Sequence, residues 1–173
     1  MLSFSSLKNQ AIAKVTTRFP SLADKFIGGF SPVEPLGGVP WCPPKRPLAQ
    51  SKVALVTTAG VHHRDQRPFD MKDPDGDPSF RVIDASSPLR DLMVTHDYYD
   101  HSDADRDINI VFPIERLWEL EKDGLIGEVA RTHYGFMGHI LGQHIQTLVN
   151  LCAPEVAERL KLDDVDIVLL TPG

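Results

Sequence analysis

Asp166-Ile167-Val168-Leu169-Leu170-Thr171-Pro172-Gly173 has the form of a buried parallel strand running into a loop. The aliphatic run Ile167 to Leu170 suits a strand covered on both faces of a sheet, and Thr-Pro-Gly ends it. In open α/β sheets the loop at the carboxyl end of such a strand, ahead of the crossover helix, is where ligands and catalytic groups gather. No helix follows Gly173. The chain stops where chemistry is expected to begin. This predicts either a bare terminus or a reading frame closed too early. A frame closed early would leave an exposed apolar patch at Val168–Leu170, and with it aggregation or dependence on a partner.

The same strand grammar recurs upstream. Ser51 to Thr58 (SKVALVTT) carries the continuous apolar run Val53–Val56 and ends in the loop Ala59-Gly60-Val61-His62-His63. Phe80–Ile83 predicts a short second strand, and Leu89–Thr95 another extended segment. Ile108–Phe112 reads as a strand or as a tight approach to the next helix. That helix starts at Pro113, carries Leu117, Leu120 and Trp118 inward, and stops at Gly124. Val129–Phe136 is a weaker strand. Helices are expected over His139–Leu151 and from Pro154 to Leu160. Strands alternating with helices predict an α/β fold: a single open, mostly parallel sheet with flanking helices, Rossmann-like or flavodoxin-like, with its C-terminal part missing.

Three segments divide the chain. Residues 1–27 predict an amphipathic helix, with Leu7, Ala11, Val15, Phe19, Leu22 and Phe26 on a core-facing stripe and Pro20 as a break. The same stretch has Lys8, Lys14, Arg18 and Lys25 ahead of or beside its first acid, Asp24, and so also mimics a transit peptide. Residues 28–50 are a Pro/Gly-rich connector that Trp41 is expected to pin to the body. Residues 51–173 form the α/β domain.

Composition narrows the function. The chain has 173 residues and 42% hydrophobic content, enough for one domain with a core. A net charge of −6 without a basic cluster argues against nucleic acid, and no apolar run is long enough to span a membrane. Cys42 and Cys152 form no CxxC and no disulfide framework, which points to a reducing cytoplasm.

Seven histidines, among them His96, His101, His139 and His144, with Asp97, Asp100, Asp103, Asp105 and Asp107, raise the possibility of a metal site. The spacing argues against it. His139 and His144 are five apart, no HExxH exists, and the Asp-rich loop lacks the EF-hand pattern. Thr57-Thr58-Ala59-Gly60 is a candidate cradle at a strand end, but it is neither a Walker loop nor a dinucleotide fingerprint. No GxSxG elbow supports serine hydrolysis. By themselves these features describe a polar, His/Asp-rich sheet edge and name no reaction.

Five phrases, taken in order, resemble a known family. They are Val53-Ala54-Leu55-Val56-Thr57-Thr58-Ala59-Gly60-Val61-His62, Asp75-Gly76-Asp77-Pro78-Ser79-Phe80-Arg81 and His96-Asp97-Tyr98-Tyr99-Asp100-His101. Asp107-Ile108-Asn109-Ile110-Val111-Phe112-Pro113-Ile114-Glu115-Arg116-Leu117 and His133-Tyr134-Gly135-Phe136-Met137-Gly138 complete the set. Over about Trp41 to Gly173 the chain resembles the selenoprotein B subunits of glycine, sarcosine, betaine and D-proline reductases, and in layout the D-proline reductase subunit.

The resemblance implies that a redox residue, selenocysteine or cysteine, follows the last strand directly. A UGA codon after Gly173 would then read as stop, and this chain by itself would lack the catalytic selenol. It further implies reductive cleavage of a bond to carbon in an amino acid or betaine-like substrate, with a thioredoxin-like dithiol as donor. A partner subunit carrying a pyruvoyl group would activate amine substrates, within an oligomeric assembly. For the pocket, the resemblance leads to Thr57, Thr58, His62 and His96 as catalytic candidates and to Asp97, Tyr98, His133, Tyr134 and Arg116 as substrate-binding candidates, with no metal. His62 or His96, titrating near neutrality, would stabilise the selenolate or protonate the leaving group. Two other readings remain open: a non-catalytic binding module that lacks the redox residue, and a metal-dependent enzyme using the His/Asp loops.

Overall fold

The computed structural model describes residues 4–19 and 41–173. Its elements are helix α1 (Phe4–Arg18), strands β1 (Lys52–Thr57), β2 (Val61–His63), β3 (Arg81–Asp84) and β4 (Leu92–Val94), and helix α2 (Ile114–Lys122). Strands β5 (Glu128–Val129) and β6 (Thr132–Gly135), helices α3 (Gln143–Thr147) and α4 (Ala153–Leu162), and strand β7 (Ile167–Thr171) follow. A π-turn, Leu148–Cys152, joins α3 to α4 in one helical run. Among the described residues no helix is long and apolar enough to cross a membrane.

The expected α/β fold is present. β1 lies at the centre of the five-stranded sheet and is parallel to β7 on one side and to β5 and β6 on the other. β3 adds to β6 antiparallel, so the sheet is mixed. β2 and β4 pair antiparallel as a separate ribbon. The run Val53-Ala54-Leu55-Val56 is buried throughout because helices and turns cover both faces. Val53, Leu55 and Ile83 pack with Val111, Phe112, Ile114, Leu117 and Ile126 on one face. Ala54, Val56, Tyr134 and Phe136 pack with Val156 and Leu160 on the other.

Helix α2 follows its local signals. Pro113 occupies the N-cap, where its missing N–H costs nothing, and Gly124 past the C-cap takes φ +71°. Ile114 and Leu117 face inward, while Leu120 is 36% exposed. Within the stretch 108–112, Ile108–Ile110 forms a 3-10 turn that leads into the helix, and no strand forms there. Asp107 accepts from the Asn109 N–H at 3.0 Å, and Asn109 exchanges hydrogen bonds with Glu115, so local side chains take the backbone out of the sheet.

Three further expectations change. The strand expected over Val129–Phe136 is broken between β5 and β6. Ala130 N–H reaches Val53 O at 2.8 Å, but the next inward amide, Leu55 N–H, is taken by His133 Nδ1 at 2.8 Å. A ring nitrogen thus replaces a ladder carbonyl. Trp41 does not pin the connector, since it is 84% exposed. The part of the connector before Trp41, and the part of the first segment after Phe19, lie outside the described residues. Within α1, Leu7, Val15 and Phe19 point outward, about half exposed, while Ser6 and Ala13 are buried. The helix is there, but it does not turn its apolar stripe to the core.

Candidate functional site

β1 and β7 run parallel in register from Val53 opposite Ile167 to Thr57 opposite Thr171, so their carboxyl ends coincide. Two threonines tie those ends together. Thr57 Oγ1 and Thr171 Oγ1 donate to the same carbonyl, Val111 O, at 3.0 and 2.7 Å. Thr58 N–H donates to Thr171 O at 2.9 Å, and Ala59 N–H to Thr57 Oγ1 at 3.2 Å. Thr57 is therefore a buried structural clamp, and Thr58, next along, is exposed at the edge. Gly60 turns the chain at φ +78°, where a side chain would collide with Thr95 O.

The polar loop after β4 folds over this edge. Tyr99 Oη donates to Ala59 O at 2.9 Å. The chain leaving β7 passes so close that a side chain at Gly173 would meet Ala59 Cα at 2.7 Å and Tyr99 Cε1 at 3.0 Å. His96 lies beneath, 5% exposed. The Tyr98 N–H donates to its Nδ1 at 3.1 Å and the Gly138 N–H to its Nε2 at 3.3 Å. A neutral imidazole offers one acceptor nitrogen, so these two amides compete for it. A Cβ built on Gly138 would lie 3.3 Å from Thr58 O and 3.7 Å from both Thr58 Oγ1 and His96 Nε2, which places the three residues around one point. Tyr98 stacks on His139 with centroids 3.7 Å apart and planes inclined by 15°.

Burial sets the protonation states. Desolvation, helped by the charges of His139 and His101 and opposed by Asp97, holds His96 down at about 4. The expectation of a ring titrating near neutrality is thereby corrected: at neutral pH His96 is an uncharged hydrogen-bonding group. Burial, with Asp97 and Asp73 nearby, raises Tyr98, so its hydroxyl keeps its proton. Burial likewise raises Tyr99.

The other expected pocket residues lie apart from this edge. His62 is fully buried on β2, with Nδ1 on His63 O at 2.7 Å and Nε2 on Thr95 Oγ1 at 2.8 Å. Both ring nitrogens are consumed by the protein. His133 and Tyr134, adjacent on β6, enter opposite faces of the sheet. His133 packs on Phe112 at 5.6 Å and Tyr134 on Phe80 at 5.8 Å. Arg116 stands exposed on α2, paired with Glu119 at 2.9 Å. Asp97 joins the edge, 6% exposed. The edge residues that sequence reasoning missed are Tyr99, Gly138 and His139. The signal for Gly138 and His139 was their place just past β6, a strand ending at the same edge as β1. The histidines are dispersed, and among the described residues no group of three or more His, Cys, Asp or Glu is placed to hold a metal ion.

Comparison with known proteins bears on this edge. The family model for glycine/sarcosine/betaine reductase selenoprotein B matches residues 29–173. The chain is 41% identical over 133 residues to D-proline reductase subunit gamma of Acetoanaerobium sticklandii, covering 77% of this chain and 53% of that protein. It is 31% identical over 153 residues to glycine reductase complex component B subunit gamma of Symbiobacterium thermophilum, covering 81% of this chain and 32% of that protein. The chain thus spans about half the length, or less, of these relatives. No solved structure matches it. The matched segment contains the whole sheet, both threonine clamps and the His96–Tyr99 loop, and on that evidence the chain belongs to the glycine/sarcosine/betaine reductase selenoprotein B family.

Proposed function

We propose that this chain forms the α/β body of a selenol- or thiol-dependent reductase subunit. The reaction is reductive cleavage of a bond to carbon in an amino acid or betaine-like substrate. A dithiol donor becomes a disulfide and supplies the two electrons and two protons that the cleaved fragments gain. The observation that supports this reading is the meeting of Thr58, His96, Tyr98, Gly138 and the Thr171–Gly173 exit at one sheet edge, within a segment that carries the family match. Edges of this kind, outside the carboxyl ends of parallel strands, are where α/β folds bind ligands.

A selenol or thiol at this edge would supply a nucleophile ionised at or near neutral pH. The chain's own residues then have separable tasks. The Thr58 hydroxyl, exposed at the edge, is a donor able to stabilise negative charge there. His96, uncharged, offers one acceptor nitrogen to the Tyr98 or the Gly138 amide and contributes no positive charge. The stack of Tyr98 on His139 makes a flat wall with a protonated hydroxyl. A pyruvoyl-bearing partner subunit and a thioredoxin-like reductant, implied by the family resemblance, complete the proposed assembly.

Turnover of the full-length protein with its partner subunits tests this. His96→Ala and Tyr98→Phe are each expected to lower kcat at least ~10-fold, in line with loss of a positioning or donor group. Wild-type kcat in both variants would remove this edge from the reaction. The codons after Gly173 test the redox residue itself. An in-frame UGA followed by coding sequence with a nearby cysteine supports the reading, and a terminator without coding continuation overturns it.

A further inference from the structure

Helix α1 is attached by the face its sequence would not select. Its contact side carries Ser6, Gln10 and Ala13, and its outer side carries Leu7, Ile12, Val15 and Phe19. Ser6 and Ala13 are the buried residues among those described in this helix, so little apolar surface holds it down. The specific tie is Gln10 Nε2 donating to Asp97 Oδ1 at 2.8 Å, across 87 positions of sequence. Lys14 adds a longer-range attraction to Asp100. Between α1 and the loop lies a cleft of about 190 Å³ lined by Gln10, Lys14, Tyr99, Asp100, His101 and Asp105. The family match covers residues 29–173 and so does not include α1.

We propose that α1 is a releasable strap that closes the His96–Asp105 loop and controls solvent and ligand access to Asp97 and, through it, to His96 and Tyr98. Asp97 shows why the closed state is poised. Its Oδ1 is satisfied by Gln10, but its Oδ2 is buried without a hydrogen-bond partner among the described residues. A carboxylate oxygen shut away from water opposes closure, and lifting α1 restores its hydration. The Gln10 hydrogen bond thus holds the strap at one oxygen of the carboxylate whose other oxygen resists closure. The outer stripe of α1 is unaffected by opening, since it is exposed when the strap is closed. This inference concerns access to the loop and does not depend on the reaction proposed above.

Amide hydrogen exchange on the whole chain tests it. In the wild type, Leu7–Arg18 amides are expected to exchange at least ~100-fold faster than those of Val53–Val56, as for a locally opening unit on a stable body. Gln10→Glu sets a carboxylate against Asp97. It is expected to accelerate exchange in α1 and at the Tyr98 amide at least ~10-fold, with Val53–Val56 unchanged. Ala13→Lys, which puts a long charged side chain at the buried contact, is expected to do the same by a different route. Protection of α1 equal to that of β1 would overturn the strap. Acceleration confined to α1, with Tyr98 unmoved in both variants, would overturn its control of the loop.

Discussion

His133 and His96 are both buried, and burial is the main force holding each ring down at about 4. They occupy regions built on opposite principles. His133 sits in the sheet interior, where its Nδ1 takes the Leu55 amide that a broken ladder has left without a carbonyl. Its neighbours are Phe112 and the core, and it reaches no strand end. His96 sits at the edge where β1 and β7 end. Around it are Thr58, Tyr98, Gly138 and His139, polar groups that the fold has gathered at one strand end. A depressed histidine therefore does not mark a functional site by itself. Placement at a strand's carboxyl end, beside other polar groups, is what separates the edge from the interior.

The contrast is sharpest in stability. Leu55→Ala, in the covered centre of β1, is expected to cost about 2–5 kcal/mol in chemical denaturation. Leu170→Ala, on the edge strand β7 where the side chain is 71% exposed, is expected to stay within about 0.5 kcal/mol. Equal losses would mean that β7 is not an edge. Next in size is His133→Leu, which orphans the buried Leu55 N–H and is expected to cost about 1–3 kcal/mol. His96→Gln keeps an acceptor and is expected to cost less than His133→Leu while lowering turnover more. The reverse ranking would exchange the roles assigned to the two rings.

Acid should expose both histidines together. Each folded-state pKa lies below the ordinary histidine value of 6.5, so the unfolded chain binds more protons at intermediate pH. Their contribution to stability is fully present above pH 6.5 and is lost as pH falls through that value towards about 4. A denaturation midpoint that declines over this window, and declines less in His133→Leu, is the expected outcome. A flat midpoint would show that the rings are not shielded. The threonine clamp has modest effects. Thr171→Val loses one hydrogen bond to Val111 O and is expected to cost about 1 kcal/mol. Thr57→Val also removes the acceptor for Ala59 N–H, so its cost should be larger.

Much of the edge was legible beforehand. The apolar runs Val53–Val56 and Ile167–Leu170 announced parallel strands, and of the two only the first is covered on both faces. The exposure expected over Val168–Leu170 is observed, at 36, 41 and 71%. Thr58, His96, Asp97 and Tyr98 were named and lie at the edge. His62, His133, Tyr134 and Arg116 were named with them, and the fold sends them elsewhere. A histidine next to a strand end looks the same in sequence whether its ring turns to the edge, as His96 does, or into the body, as His62 does. His139 was read as a stray member of a dispersed histidine set, because only its stack on Tyr98 reveals its place.

By itself the sequence determined the parallel strands β1 and β7 and where α2 starts and stops. Those outcomes depend on apolar runs, proline and glycine within a few residues. Tertiary structure alone decided that α1 would dock by Ser6, Gln10 and Ala13, that His133 would mend a broken ladder, and that Thr57 and Thr171 would share one carbonyl. Each of these joins residues tens of positions apart, and such contacts exist only once parallel register brings distant strand ends together.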